Sequence, residues 1–240
     1  MIRIFKNLFR RLRFYLNNSQ NKLKNNNSDT NEIKDLRENG ITVIQKIIEK
    51  DQFMQQIFNY CSSIIKTESF IIQCNKIREG KKKQTSIKTF KIDITKLFEE
   101  KKIFDLANKS SLLDFSERYF NKKSYLNAVQ IWEDTFVHDT NPSDTQIFHR
   151  DGDNFFLLKC FLYLNDVNFK NGPFEYLKSS HIINDEYSKD ELIFREHNSL
   201  VTAVGSAGDL VIADTNGYHR GRKLIEGKRY LIMFMFTDKS

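Results

Sequence analysis

Residues 208–236 read GDLVIADTNGYHRGRKLIEGKRYLIMFMF. Two apolar runs, DLVIAD and RYLIMFMF, are too short for ordinary helices and flank a segment with a turn at Asn216-Gly217, so both read as strands. Arg229 to Phe236 is apolar on both alternations, which predicts burial of both faces of the last strand. A guanidinium opening such a strand is costly unless an anion or acid pairs with it. His219 falls at the end of the first strand. Arg229 follows it by ten residues, enough for a short loop and a return to the adjacent strand.

Outward from this stretch the β texture continues. From Ser124 the chain runs through SYLNAVQIWEDTF, TQIFHRD, FFLLKCFLYLNDV, PFEYL and SLVTAV, with one helical insertion at about Asn184 to Arg195. Upstream, ITVI (41–44) reads as a strand and Ile47 to Ile65 as helix. SFIIQCNKIR and TSIKTFKID are strand candidates separated by the basic turn Glu79–Gln84. Residues 94–120 look helical, with Leu97, Phe98, Leu106, Leu112, Leu113, Phe115 and Tyr119 as the buried set. Thr30 is placed to N-cap a short helix that stops at Gly40. Helices first and many short strands afterwards predict an α+β fold with a mainly β core, jelly-roll-like.

Strand geometry also suggests chemistry. In Gln146-Ile-Phe-His149-Arg-Asp151-Gly152-Asp153, His149 and Asp151 stand at i and i+2 and project to one face. With His219 they offer two imidazoles and a carboxylate, the donor set of non-haem Fe(II) oxygenases. An HxD string alone is a weak signal, and in isolation it reads rather as a pair of solvated loop groups. A buried Arg near a metal, forking onto a carboxylate, is what the distal carboxylate of 2-oxoglutarate requires, and pairing of Arg229 with an internal Asp or Glu is the other reading.

Residues 146–234 resemble the phytanoyl-CoA dioxygenase family of Fe(II)/2-oxoglutarate oxygenases, on HRDGD, CFLYLNDVNFKNGPFEYLKSSH (160–181) and GDLVIADTNGYHRGRKLIEGKRY (208–230). GITVI (40–44) is similar to the family's opening strand. The resemblance implies a double-stranded β-helix over residues 32–240, with His149, Asp151 and His219 as iron ligands and Arg229 as the 2-oxoglutarate anchor. It implies Fe(II) as cofactor, 2-oxoglutarate and O2 as co-substrates, and succinate and CO2 as products beside a hydroxylated organic substrate. Related halogenases have a small residue at the position of Asp151, so the carboxylate favours hydroxylation or another oxidation. Ser179 stands where a Gly is common, and Gly221 where some members offer a hydroxyl to the co-substrate.

Other residues carry two readings each. Lys159 interrupts FFLLKCFLYL and either touches an anionic group at the barrel mouth or snorkels from an edge strand. Asn127 and Gln130 reach the co-substrate or substrate, or are ordinary strand polarity. His181 reads as a loop-holding group, and Trp132 and Phe136 as pocket lining or core. His138, Asp139 and Asp153 are given no role.

The chain has 240 residues, 40% hydrophobic, with 21 Phe and 9 Tyr, which excludes global disorder. Cys61, Cys74 and Cys160 have no paired spacing, which favours a reducing, cytoplasmic compartment over a disulfide framework. The net charge of +7 resides entirely in residues 1–24, which carry seven basic and no acidic side chains, while residues 25–240 carry 31 of each sign. A neutral body argues against nucleic acid as a partner. Residues 1–16 read as a basic amphipathic helix, suited to peripheral contact with an anionic membrane surface or to docking on the body or a second subunit, with mitochondrial targeting as a weaker third reading. Residues 17–31, with seven Asn, read as a disordered linker. The expected substrate is a small molecule or a lipid or glycan type. The rival readings are a non-redox cupin-type metalloenzyme and a non-catalytic, membrane-tethered binding module.

Overall fold

Helix α1 (Asn31–Asn39) is set by its ends: Thr30 Oγ1 accepts from the Ile33 N–H, and Gly40 closes it in the left-handed region at φ +80°. The computed structural model describes residues 29–80, 89–93, 100–136, 138, 141–142, 144–151, 156–182 and 187–238. The expected helix 1–16 and most of the expected linker lie outside them. The end of that linker does not: Asp29 is buried and pairs with Arg37 at 3.0 Å, so the folded part already includes Asp29, ahead of the Asn31 boundary. Arg37 also donates to the carbonyls of Tyr119 and Arg118 at 2.8 and 2.7 Å, placing a cation at the C-terminus of a later helix.

Strand β1 (Ile41–Ile44) leads into α2 (Ile47–Lys50) and α3 (Gln52–Ile64). The helix expected over 47–65 is divided at Asp51, which is extended and caps α3 by accepting from the N–H groups of Phe53 and Met54. The strand expected at SFIIQCNKIR is instead α4 (Glu68–Gly80). Phe70 and Cys74, four residues apart, are buried while Ile71 and Ile72 are exposed, and Thr67 Oγ1 accepts from Phe70 N–H at the start. A short apolar run satisfies either period, and packing of that one stripe decided between them. Strand β2 (Thr89–Asp93) follows, then α5 (Glu100–Lys109) and α6 (Ser111–Phe120).

The remaining strands are β3 (Tyr125–Thr135), β4 (Leu157–Tyr163), β5 (Phe174–Leu177), β6 (Leu200–Ala203), β7 (Leu210–Asp214), β8 (His219–Gly221) and β9 (Lys228–Thr237), with α7 (Lys189–Ser199) before β6. The expected insertion helix begins at its capping box, Ser188 with Glu191, and runs four residues beyond Arg195. TQIFHRD forms a 3-10 turn, Asp144–Gln146, and a single bridge from His149 to His219 rather than a strand of its own. A six-stranded antiparallel sheet has the order β1-β7-β4-β9-β3-β2, and a three-stranded one the order β6-β5-β8. Together they make the double-stranded β-helix.

Alternation along the large sheet sorts two cores. Leu158, Cys160 and Leu162 of β4, Leu210 and Ile212 of β7, and Ile232, Phe234 and Phe236 of β9 pack in one core with the helices. Phe161, Tyr163, Val211, Ala213, Leu231 and Met233, from the opposite alternation, pack with Phe174 and Tyr176 of the small sheet. Strand β9 is therefore buried on both faces, as its composition predicts. Each fully buried Phe contributes about 1.5–3 kcal/mol. Among the described residues no helix is long and apolar enough to cross a membrane.

Candidate metal centre and active site

Residues 149–151 lie along the edge of the 215–219 segment. His149 and His219 exchange both backbone hydrogen bonds at 3.0 Å, and Asp151 N–H donates to Thr215 O at 2.9 Å. This brings the two imidazole centroids to 4.3 Å. Each ring is oriented the same way, with Nδ1 at 2.9 Å from the carbonyl two residues back, Ile147 for His149 and Gly217 for His219. A proton on Nδ1 satisfies that contact and leaves each Nε2 lone pair bare, the arrangement seen at metal-ligating histidines. The two Nε2 atoms face Asp151, at 3.8 Å from Oδ1 and 3.6 Å from Oδ2. One ligand atom from each residue lies within 4.8 Å of the others, close enough to hold one metal ion.

Protonation states suit ligation. Burial depresses the pKa of His219 to about 3, with the Asp151 charge opposing and His149 adding to the shift, so the imidazole is neutral at pH 7. Burial alone would raise Asp151, but His219 and the Lys159 ammonium pull it down to about 2, so it is anionic. Metal binding needs neutral imidazole and ionised carboxylate, which His219 and Asp151 provide.

His219 opens the three-residue strand β8 in the small sheet, not the end of a strand as expected, while β9 belongs to the large sheet. Arg229 therefore approaches from the facing sheet rather than an adjacent strand. Its guanidinium is buried: Nε and Nη2 donate to Asp134 Oδ2, Nε at 3.0 Å, and Nη1 donates to the Gly172 carbonyl. It still lines the pocket that holds the triad, together with Asp134, Lys159, Trp132, Gln146 and Phe174. A Cβ on Gly221 would lie 3.1 Å from Arg229 Nη2, so the bare backbone there gives the guanidinium its room.

The other candidates separate. Lys159 Nζ stands 2.6 Å from Asp151 Oδ2, and β4 lies between β7 and β9, so it is not an edge-strand lysine. Asn127 is exposed and accepts from Thr237 Oγ1, and Gln130 accepts from Trp132 Nε1, and neither is among the pocket-lining residues. Trp132 lines the pocket and Phe136 does not. His181 Nε2 donates to Arg37 O, tying its loop to α1. Ser179 has φ +58°, which explains why glycine suits that position, and its hydroxyl donates to Glu38 O.

Two positions at the candidate site escaped the sequence reading. Asp214 is fully buried and holds the turn that presents His219: Tyr119 Oη donates to its Oδ2 at 2.7 Å, Asn216 N–H and Nδ2 donate to its Oδ1, and Tyr176 Oη donates to its carbonyl. The Asp-x-Asn-Gly string was the available signal, an Asx-type turn. Gln146 is 5% exposed, lines the pocket and has no partner for Oε1. A buried amide oxygen left unmatched costs about 1–3 kcal/mol, so a ligand group that fills it is favoured.

Fold and donor set together define a double-stranded β-helix with a His-Asp-His cluster whose ligand atoms could hold one metal ion. The solved structures similar to it are of the 2-oxoglutarate oxygenase fold. AviO1 from Streptomyces viridochromogenes Tue57 superposes with TM-score 0.63 at 15% identity, over 87% of this chain and 94% of that one. EctD from S. alaskensis, with bound Fe, has TM-score 0.64 at 13% identity, over 89% and 79%. HygX from Streptomyces hygroscopicus, with nickel and 2-oxoglutarate bound, has TM-score 0.58 at 17% identity, over 88% and 87%. No family model matches the chain, and no curated protein matches it in sequence.

Proposed function

We propose that the protein is an Fe(II)/2-oxoglutarate-dependent dioxygenase of the phytanoyl-CoA dioxygenase type that hydroxylates a small organic substrate. The observation that carries this reading is the convergence of His149, Asp151 and His219 in one pocket with a buried arginine. The neighbours crystallised with iron, nickel or 2-oxoglutarate support the same cofactors here. Bound iron with 2-oxoglutarate and O2 would supply the oxidising chemistry, one oxygen atom of O2 entering succinate as CO2 leaves and the other oxidising the substrate.

The chain's own residues do the rest. His149 and His219 offer Nε2, each ring held at Nδ1 by a backbone carbonyl, and Asp151 offers its carboxylate, held by Lys159. Arg229, which lines the pocket, binds the distal carboxylate of the co-substrate, beside the Asp134 that orients it. Trp132, Phe161, Phe174 and Leu231 keep the pocket apolar, which strengthens the charge interactions inside it. Hydroxylation is the outcome favoured by a carboxylate at position 151, although SnoK and SnoN of the same fold are a carbocyclase and an epimerase.

One observation favours a second reading. Arg229 already has a protein carboxylate partner, as a structural arginine in a non-redox cupin-type metalloenzyme would. Succinate formation from 2-oxoglutarate with iron and ascorbate, with and without candidate substrates, tests both. Succinate that disappears in His219→Ala supports the oxygenase, and its absence in the wild type with iron bound supports the non-redox enzyme.

A further inference from the structure

Lys159 occupies an unusual place. It sits mid-strand on β4, opposite Ala213 of β7 and Met235 of β9, on the inward alternation with Phe161 and Tyr163. Its side chain is 15% exposed, and its ammonium lies 2.6 Å from Asp151 Oδ2, the same oxygen that faces His219 Nε2 at 3.6 Å. The pocket charges therefore cancel in pairs, Lys159 with Asp151 and Arg229 with Asp134, while Arg222 stands 3.5 Å from Glu175.

A divalent ion held by Asp151 adds two positive charges beside an ammonium that already neutralises that carboxylate. Like charges in a buried site repel strongly, because the local dielectric is far below that of water. A dianion entering the same pocket removes the excess. Resting on the oxygenase reading, we propose that Lys159 couples the loading of the site: it weakens the binding of a divalent metal alone and makes metal and 2-oxoglutarate bind as a mutually dependent pair. Lys159 is thus a positioning and affinity-setting residue for the metal, distinct from the anchor Arg229. By reciprocity, 2-oxoglutarate tightens the metal by the same factor as the metal tightens 2-oxoglutarate.

The test is a four-constant binding cycle by calorimetry on the full chain with Co(II), which requires no turnover. Co(II) affinity is measured alone and with saturating 2-oxoglutarate, in wild type and in Lys159→Met. The expected result is weak Co(II) binding in wild type that 2-oxoglutarate tightens by on the order of tenfold or more, within the usual range of coupling between sites. In Lys159→Met, Co(II) alone binds about tenfold tighter and the enhancement by 2-oxoglutarate shrinks correspondingly. Lys159→Arg keeps the charge and should retain the wild-type coupling, and Lys159→Gln substitutes for the methionine variant if that one does not fold. Unchanged or weaker Co(II) binding on removal of the charge overturns the proposal, because the lysine then serves only to hold Asp151 in place. Wild-type protein that binds Co(II) without any enhancement by 2-oxoglutarate also overturns it. Failure of wild type to bind Co(II) at all overturns the oxygenase reading itself.

Discussion

Arg229 and Asp134 are direct cross-strand partners of β9 and β3, and their side chains form an ion pair buried inside the large sheet. Removing one partner of such a pair typically costs about 3–5 kcal/mol, whereas replacing both by apolar groups is often near neutral. Arg229→Ala should therefore lower stability by that amount and weaken 2-oxoglutarate binding. The double variant Arg229→Met/Asp134→Leu should recover most of the stability in urea denaturation but none of the co-substrate affinity. Restored 2-oxoglutarate binding in the double variant would mean the arginine is structural only.

The metal centre gives a simpler expectation. His149→Ala, Asp151→Ala and His219→Ala should each abolish stoichiometric Fe(II) or Co(II) binding, since each supplies one of three donor atoms. Metal content after gel filtration measures it. Full occupancy in the His219→Ala protein would remove the triad.

Gly217 tests how the turn holds His219. A Cβ there would overlap the Tyr176 hydroxyl and lie 2.7 Å from Ser180 Oγ, while the Gly217 carbonyl receives His219 Nδ1. Gly217→Ala should cost about 1–3 kcal/mol through overpacking. It should also weaken metal binding by about 10–100-fold, as loss of ligand orientation does elsewhere. Thermal denaturation of the apo protein and Co(II) titration read the two effects separately.

Asp51 provides a pH dependence remote from the site. Burial works against its charge, but the N–H groups of Ser111, Met54 and Phe53 more than offset that, and its pKa lies below the ordinary value. A folded pKa below the unfolded one contributes stability above the unfolded value, and that contribution fades as pH falls through the folded one. Asp51→Ala should cost about 1 kcal/mol at pH 7. Asp51→Asn keeps a capping oxygen, so its stability relative to wild type should improve as pH falls below about 4. Urea midpoints of wild type and Asp51→Asn between pH 3 and 7 check it, and a constant gap across that range would contradict the assignment.

Much of the fold was legible because its signals are local. The cap at Thr30, the stop at Gly40, and the two-faced apolarity of 229–236 each depend on a few neighbouring residues and elementary periodicity. The types of the metal-site residues were legible for the same reason, since His149 and Asp151 share a face at spacing two and a His beside an Asn-Gly turn is conspicuous. Residues 68–80 were not legible, because FIIQC suits a strand or a helix and only burial of Phe70 and Cys74 against the helical layer selects one. Tertiary structure alone decided the partners. The reciprocal backbone bonds of His149 with His219, the approach of Arg229 from the facing sheet, its pairing with Asp134 across 95 residues, and the ammonium of Lys159 on Asp151 all join segments far apart in the chain. Sequence determines which groups are available and which local shapes they adopt. Which charges meet in the buried pocket depends on how two sheets close over each other, and that is a property of the whole chain's packing.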